Sequence, residues 1–213
     1  HKEYRRQRQM CIRDRSLKPP HLSIYHLTIE PNTLFAKHQP QGLPEDDEAY
    51  NMLDLITAAT PQHGLQRYEV SAFAQAGHQC WHNTNYWQFG DYLGLGAGAH
   101  SKLSFAHRIV RMVRHREPKL YMARAMAQNA IAQSHEVSRA DLPFEFMLNA
   151  LRLKQGFELS WFTDRTGLPL SAIEQALAKA EQQGWLHRDW NKVWPSELGF
   201  DFLSDLQALF LAG

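Results

Sequence analysis

The run His78-Gln79-Cys80-Trp81-His82 sets two imidazoles and a thiol at every second residue. In an extended chain these three side chains share one face, as metal ligands do. The flanking sequence offers no evident fourth ligand, and two histidines beside a buried thiol is the plainer reading. The next run is His82-Asn83-Thr84-Asn85-Tyr86-Trp87. A neutral imidazole can be an axial ligand to haem iron. Tyr86 and Trp87 offer flat faces to a macrocycle, and Asn83 is placed to orient the His82 ring through a hydrogen bond. The competing reading is that Trp81, Tyr86, Trp87 and Phe89 seal a core edge. A third run, Gly94-Leu95-Gly96-Ala97-Gly98-Ala99-His100, satisfies G-x-G-x-x-[GA] with Ala99 in the last place. A dinucleotide site needs a helix to begin there, and Ser101–Arg116 shows no 3.6-residue period. Alternating glycines on a strand mark the close approach of a ligand or another backbone. His100, just past the strand end, would line whatever approaches.

The elements that must position these groups follow from pattern. His21–Ile29 is bounded by Pro19-Pro20 and Glu30-Pro31 and reads as a strand. Pro44 and the acids 45–48 open a helix that Pro61 and Gly64 stop. Arg67–Val70 reads as a short strand, and Leu93–Ala99 as another. The first hundred residues thus predict an α/β layer. Residues 103–116 read as an exposed ribbon, followed by a helix over Lys119–Gln133. Helices are expected over Phe144–Leu153 and Leu159–Thr166. A third, over Ser171–Gln183, carries a Ser171/Glu174 capping box. A hairpin over Trp185–Trp194 and a closing amphipathic helix over Glu197–Leu211 follow. A domain boundary is expected near 135–142.

Composition narrows the possibilities. The chain has 213 residues, 44% hydrophobic and 21% charged, with a formal net charge of +1. That is globular composition, and no apolar run is long enough for a transmembrane segment. Two cysteines exclude a disulfide scaffold, an all-cysteine zinc site and an iron–sulfur cluster, and make a reducing cytoplasm the default. Residues 1–15 hold six Lys and Arg against Glu3 and Asp14, and carry no secretory h-region. The run QMCIRDR resembles translated sequencing-adapter read-through, so 1–15 reads as a non-native tail, with a basic arm as the alternative. Residues 157–213 have the element order of a winged helix. They carry four basic residues against eight acidic ones. That balance repels phosphate, so no nucleic-acid partner is expected.

Three strings, HLSIYHLTIEPNTLF, RYEVSAFAQAGHQCWHNTNYWQFGDYLGLGAGAHSK and LRLKQGFELSWFTDRTG, span the chain from about Ser16 onward. Together they resemble the radical S-adenosylmethionine proteins related to oxygen-independent coproporphyrinogen III oxidase, and within that group the HemW-type haem chaperones. Members of the group open with a barrel domain whose Cys-x3-Cys-x2-Cys motif binds a [4Fe–4S] cluster and S-adenosylmethionine. That motif is absent here, which implies a C-terminal fragment unable to hold the cluster.

The implied α/β fold is the C-terminal part of a partial barrel (16–104), a connecting ribbon and helix (105–140), and a small, mostly helical, winged-helix-like domain (141–213). The resemblance implies haem binding by His82 as iron ligand, supported by Asn83, Tyr86 and Trp87, and an S-adenosylmethionine pocket lined by Thr28 and His100. Arg108, Arg111 and Arg114 would either meet haem propionates or form a solvated basic face. The implied partners are haem and acceptor haemoproteins, membrane-associated respiratory proteins among them. Domain order suggests that deleting 142–213 alters haem transfer more than haem uptake. The rival function is coproporphyrinogen dehydrogenase, a radical enzyme that decarboxylates propionates.

Overall fold

The computed structural model describes residues 18–212. The expected non-native tail, 1–15, lies outside the described residues. The chain divides into two compact units, with the boundary between Cys80 and Trp81.

In the first unit, β1 (His21–Ser23), β2 (Gln66–Arg67) and β3 (Ala72–Ala74) form a sheet in the order β1-β3-β2. Both outer strands run antiparallel to β3, with Leu22 and Arg67 each opposite Phe73. The expected strand 21–29 is therefore cut to three residues, with one further backbone bond from Ile24 to Ser71. Helix α1 (Leu34–Lys37) is N-capped by Thr33. Helix α2 (Asp46–Ala59) begins with three acids in its first turn, as expected, and Gly64 closes the turn after it at φ 75°. Acids there meet the positive end of the helix dipole.

In the second unit, α3 (Trp81–Trp87) is followed by β4 (His100–Phe105), β5 (Arg108–Arg114), α4 (Pro118–Met126) and β6 (Ile131–Glu136). The expected ribbon is the β4–β5 hairpin, extended by β6 into an antiparallel sheet ordered β4-β5-β6. The helix expected over 119–133 ends early. Gln128 turns left-handed at φ 57°, and the residues beyond pair with β5. A local pattern cannot announce that pairing, because the partner lies twenty residues back.

The remaining elements are α5 (Leu142–Ala150), β7 (Phe157–Glu158), α6 (Leu159–Thr166), α7 (Glu174–Gln182), β8 (Leu186–Arg188), β9 (Lys192–Pro195), α8 (Glu197–Asp201) and α9 (Leu203–Ala208). A third antiparallel sheet has the order β7-β9-β8. Gly156 at φ 71° leads into β7, where an added Cβ would fall 1.9 Å from the Val193 carbonyl oxygen. The 171–183 helix has no Ser171 cap, because Leu170–Ala172 forms a 3-10 turn and α7 starts at Glu174. The closing helix is broken at Phe202 into α8 and α9. The core of the unit centres on Phe146, whose ring meets those of Phe89, Phe157 and Phe162 edge-on at 5.1–5.5 Å.

The fold is mixed α/β, as expected, but no barrel is present among the described residues. All paired strands are antiparallel, in three separate three-stranded sheets. Barrel closure needs about eight strands and a consistent stagger, which three short strands do not provide.

Candidate functional site

Residues 81–87 are helical, and this changes two expectations. The alternating face of His78, Cys80 and His82 does not exist, because the extended run stops where α3 begins. Among the described residues no group of three or more His, Cys, Asp or Glu is placed to hold a metal ion. Asn83 also does not face the His82 ring, since neighbours on a helix diverge by about 100°.

Helical spacing instead pairs His82 with Tyr86. The two rings meet edge-on at 4.8 Å, and the imidazole is exposed. Tyr86 in turn stacks on Tyr92 at 4.1 Å, and burial followed by the proximity of Tyr92 raises the Tyr86 hydroxyl above the ordinary tyrosine range. Trp87 lies beneath the guanidinium of Arg152, 4.2 Å from its carbon. The Trp87 Nε1 is buried with no hydrogen-bond partner. Trp81, at the start of the helix, is 88% exposed. The His82 imidazole is thus open to solvent, with the Tyr86 ring against it.

The turn after α3 is held by groups that residue patterns did not single out. Asn85 donates through Nδ2 to the Asp91 carbonyl at 2.9 Å and accepts from the Gly90 N–H through its own carbonyl. Phe89 adopts φ 57°. Its carbonyl accepts from the ammonium of Lys102 at 3.0 Å. Lys102 is only 2% exposed. It also donates to Asp91 Oδ1 at 3.1 Å and Ser104 Oγ at 3.0 Å, and sits 4.1 Å from the centre of the Phe89 ring. Burial pushes the lysine down from its ordinary range, against the upward pull of Asp91. Burial alone would raise Asp91, but the Ser104 N–H and hydroxyl and the lysine outweigh it and hold the carboxyl low. A lysine in a strand reads as solvated, so its burial was not legible.

The glycine run is a turn, not a strand. Tyr92 and Lys102 exchange backbone hydrogen bonds of 3.0 Å, so Leu93 and Gly94 run beside the start of β4. An added Cβ on Gly94 would fall 2.1 Å from the His100 carbonyl oxygen. The approaching group is thus another backbone, one of the two options the glycines allowed. His100 opens β4 rather than following a strand, and it is exposed. Thr28 is exposed in the segment after β1, five residues past the strand end. Of the three arginines, Arg111 donates to Tyr92 Oη at 3.1 Å and is ion-paired with Glu145. Arg114 donates to the Gly94 carbonyl, and Arg108 lies over the Phe105 ring. Arg111 and Arg114 therefore have internal partners.

The comparisons with known proteins bear on this constellation. Residues 137–202 match the HemN C-terminal domain family. The curated heme chaperone HemW of Haemophilus influenzae is 41% identical over 196 residues, covering 92% of this chain and 50% of that protein. HemW of Escherichia coli is 42% identical over 201 residues, with 92% and 51% covered. The chain is a HemW homologue.

It spans about half the length of the curated relatives it matches. The solved structure of coproporphyrinogen III oxidase (HemN) from Escherichia coli, described as a radical SAM enzyme, aligns with a TM-score of 0.67 at 18% identity, over 94% of this chain and 50% of that one. That likeness is one of fold. The HemW relatives include Bacillus subtilis at 29% identity over 190 residues. A [4Fe–4S] cluster does not fit the residues present. The sequence holds two cysteines, one of which, Cys80, lies among the described residues, and a cluster needs about four thiolates.

Proposed function

We propose that this chain forms the haem-binding portion of a haem chaperone, which takes up haem and passes it to acceptor haemoproteins. The observation that carries the reading is His82, an exposed imidazole set against Tyr86 on α3, in a chain 41% identical to a curated heme chaperone HemW. The neutral imidazole donates a nitrogen lone pair to the iron, and Tyr86, Tyr92 and Trp87 give the macrocycle an aromatic wall. The chain's own contribution is ligation and shielding; an acceptor ligand that replaces His82 completes the transfer. In this reading Asn83 borders the site without orienting the ring.

The finer reading extends to the whole protein. Residues 16–104 correspond to the trailing part of a radical S-adenosylmethionine barrel, for whose cofactor Thr28 is a candidate residue in the first unit and His100 a candidate in the second. A [4Fe–4S] cluster is held by a part that this chain does not contain. The acceptors include respiratory haemoproteins at the membrane, reached from the cytoplasm. Among the described residues no helix is long and apolar enough to cross a membrane. The names of the curated relatives favour the chaperone over the dehydrogenase, since the HemN likeness supports fold alone.

Haem titration of the 213-residue chain tests the reading. A Soret shift is expected, weakened by His82→Ala. An unchanged titration moves the ligand elsewhere, with His78 and His100 the next candidates.

A further inference from the structure

Helix α3 has seven residues, too few to be stable without packing. Its aromatic groups are fastened to one neighbouring segment, residues 145–152, at three points. Phe89, just past the helix, meets Phe146 edge-on at 5.5 Å. The Arg152 guanidinium covers the Trp87 ring at 4.2 Å. The third link passes through two residues. Tyr86 stacks on Tyr92, Tyr92 Oη accepts from Arg111 Nη1 at 3.1 Å, and Arg111 is ion-paired with Glu145 on α5. Glu145 and Arg152 both lie within the residues that match the HemN C-terminal domain.

We propose that Glu145 and Arg152 are positioning residues for the His82 imidazole, so that the C-terminal domain sets the angle at which the iron ligand is presented. The inference rests on the haem reading above and adds to it the residues that aim the ligand. Tyr86 is the wall against which His82 lies, and Tyr92 is the wall against which Tyr86 lies. The Arg111–Glu145 pair fixes Tyr92 through its hydroxyl. The Arg152 stack holds Trp87, whose indole N–H makes no hydrogen bond that would do so. A group hydrogen-bonded directly to a metal ligand fixes its orientation, and its loss costs about ten- to a hundredfold in affinity; these contacts act through intervening rings, which puts their effect at the low end.

The test uses the 213-residue chain, haem titration, and magnetic circular dichroism to read iron ligation. Arg111→Glu and Glu145→Arg are each expected to weaken haem binding about tenfold and reduce the histidine-ligated signal. The double exchange, which restores the opposite charges, is expected to recover both. Tyr92→Phe keeps the ring and removes only the hydroxyl, so it is the variant least disturbing to the fold; a weaker histidine signal is expected there too. Far-ultraviolet circular dichroism checks that each variant is folded.

If His82→Ala abolishes the signal while Tyr92→Phe and both single reversals leave it intact, the positioning role is wrong and the haem reading stands. If the double exchange folds without restoring the signal, the pair is structural only and the inference falls. If His82→Ala itself changes nothing, the haem reading fails and the inference fails with it.

Discussion

Asp91→Ala tests the buried cation that closes the turn after α3. Lys102 is 2% exposed and Asp91 41% exposed, with Nζ and Oδ1 3.1 Å apart. At an effective dielectric of about 20 their attraction is about 5 kcal/mol. Screening at the more exposed carboxylate reduces it, and water replaces the two hydrogen bonds that Asp91 accepts from exposed Ser104. Lys102 keeps the Phe89 carbonyl and the Ser104 hydroxyl. The expected loss of stability is about 2–4 kcal/mol, below or at the usual cost of leaving a buried charge unpaired.

The assay is urea unfolding followed by tryptophan fluorescence. Lys102→Met in the Asp91→Ala background is expected to recover about 1 kcal/mol or more, because it removes the stranded charge. The acid limb carries a second signature. The folded carboxyl of Asp91 titrates below its ordinary value of 3.8, so its stabilisation is present above that value and is lost as pH falls through the lower folded one. Lys102 titrates below its ordinary 10.5 in the folded state, so stability rises as pH climbs toward 10.5. Asp91→Ala should flatten the acid limb. A loss under about 0.5 kcal/mol, together with an unchanged acid limb, would refute the electrostatic account.

Two further outcomes follow from packing. Phe146→Ala removes a fully buried ring that touches Phe89, Phe157 and Phe162, and is expected to cost about 3–5 kcal/mol by chemical denaturation. Deleting 142–213 strips Phe89, Trp87 and Arg111 of Phe146, Arg152 and Glu145. Haem uptake should therefore fall along with transfer, contrary to the expectation from domain order alone, and a truncated chain that binds haem at full affinity would overturn this.

The residues themselves marked much of this molecule. Helix α2 was legible from its opening acids and its closing proline and glycine, because those signals act within one turn. The β4–β5 ribbon and the β8–β9 hairpin were legible for the same reason. The string from His82 to Trp87 was legible as a unit of side-chain chemistry, and as a resemblance, without its conformation. Its helical form is not legible, because seven residues carry too little periodicity and draw their stability from α5. That helical form decides that Tyr86, and not Asn83, stands beside the imidazole. Burial of Lys102 and the turn through Gly94–Gly98 were hidden for a related reason. Each depends on a backbone or carboxylate that chain folding brings close, and sequence spacing carries no record of that approach. Local propensity determined which segments were elements; long-range pairing decided where they stop and what His82 faces.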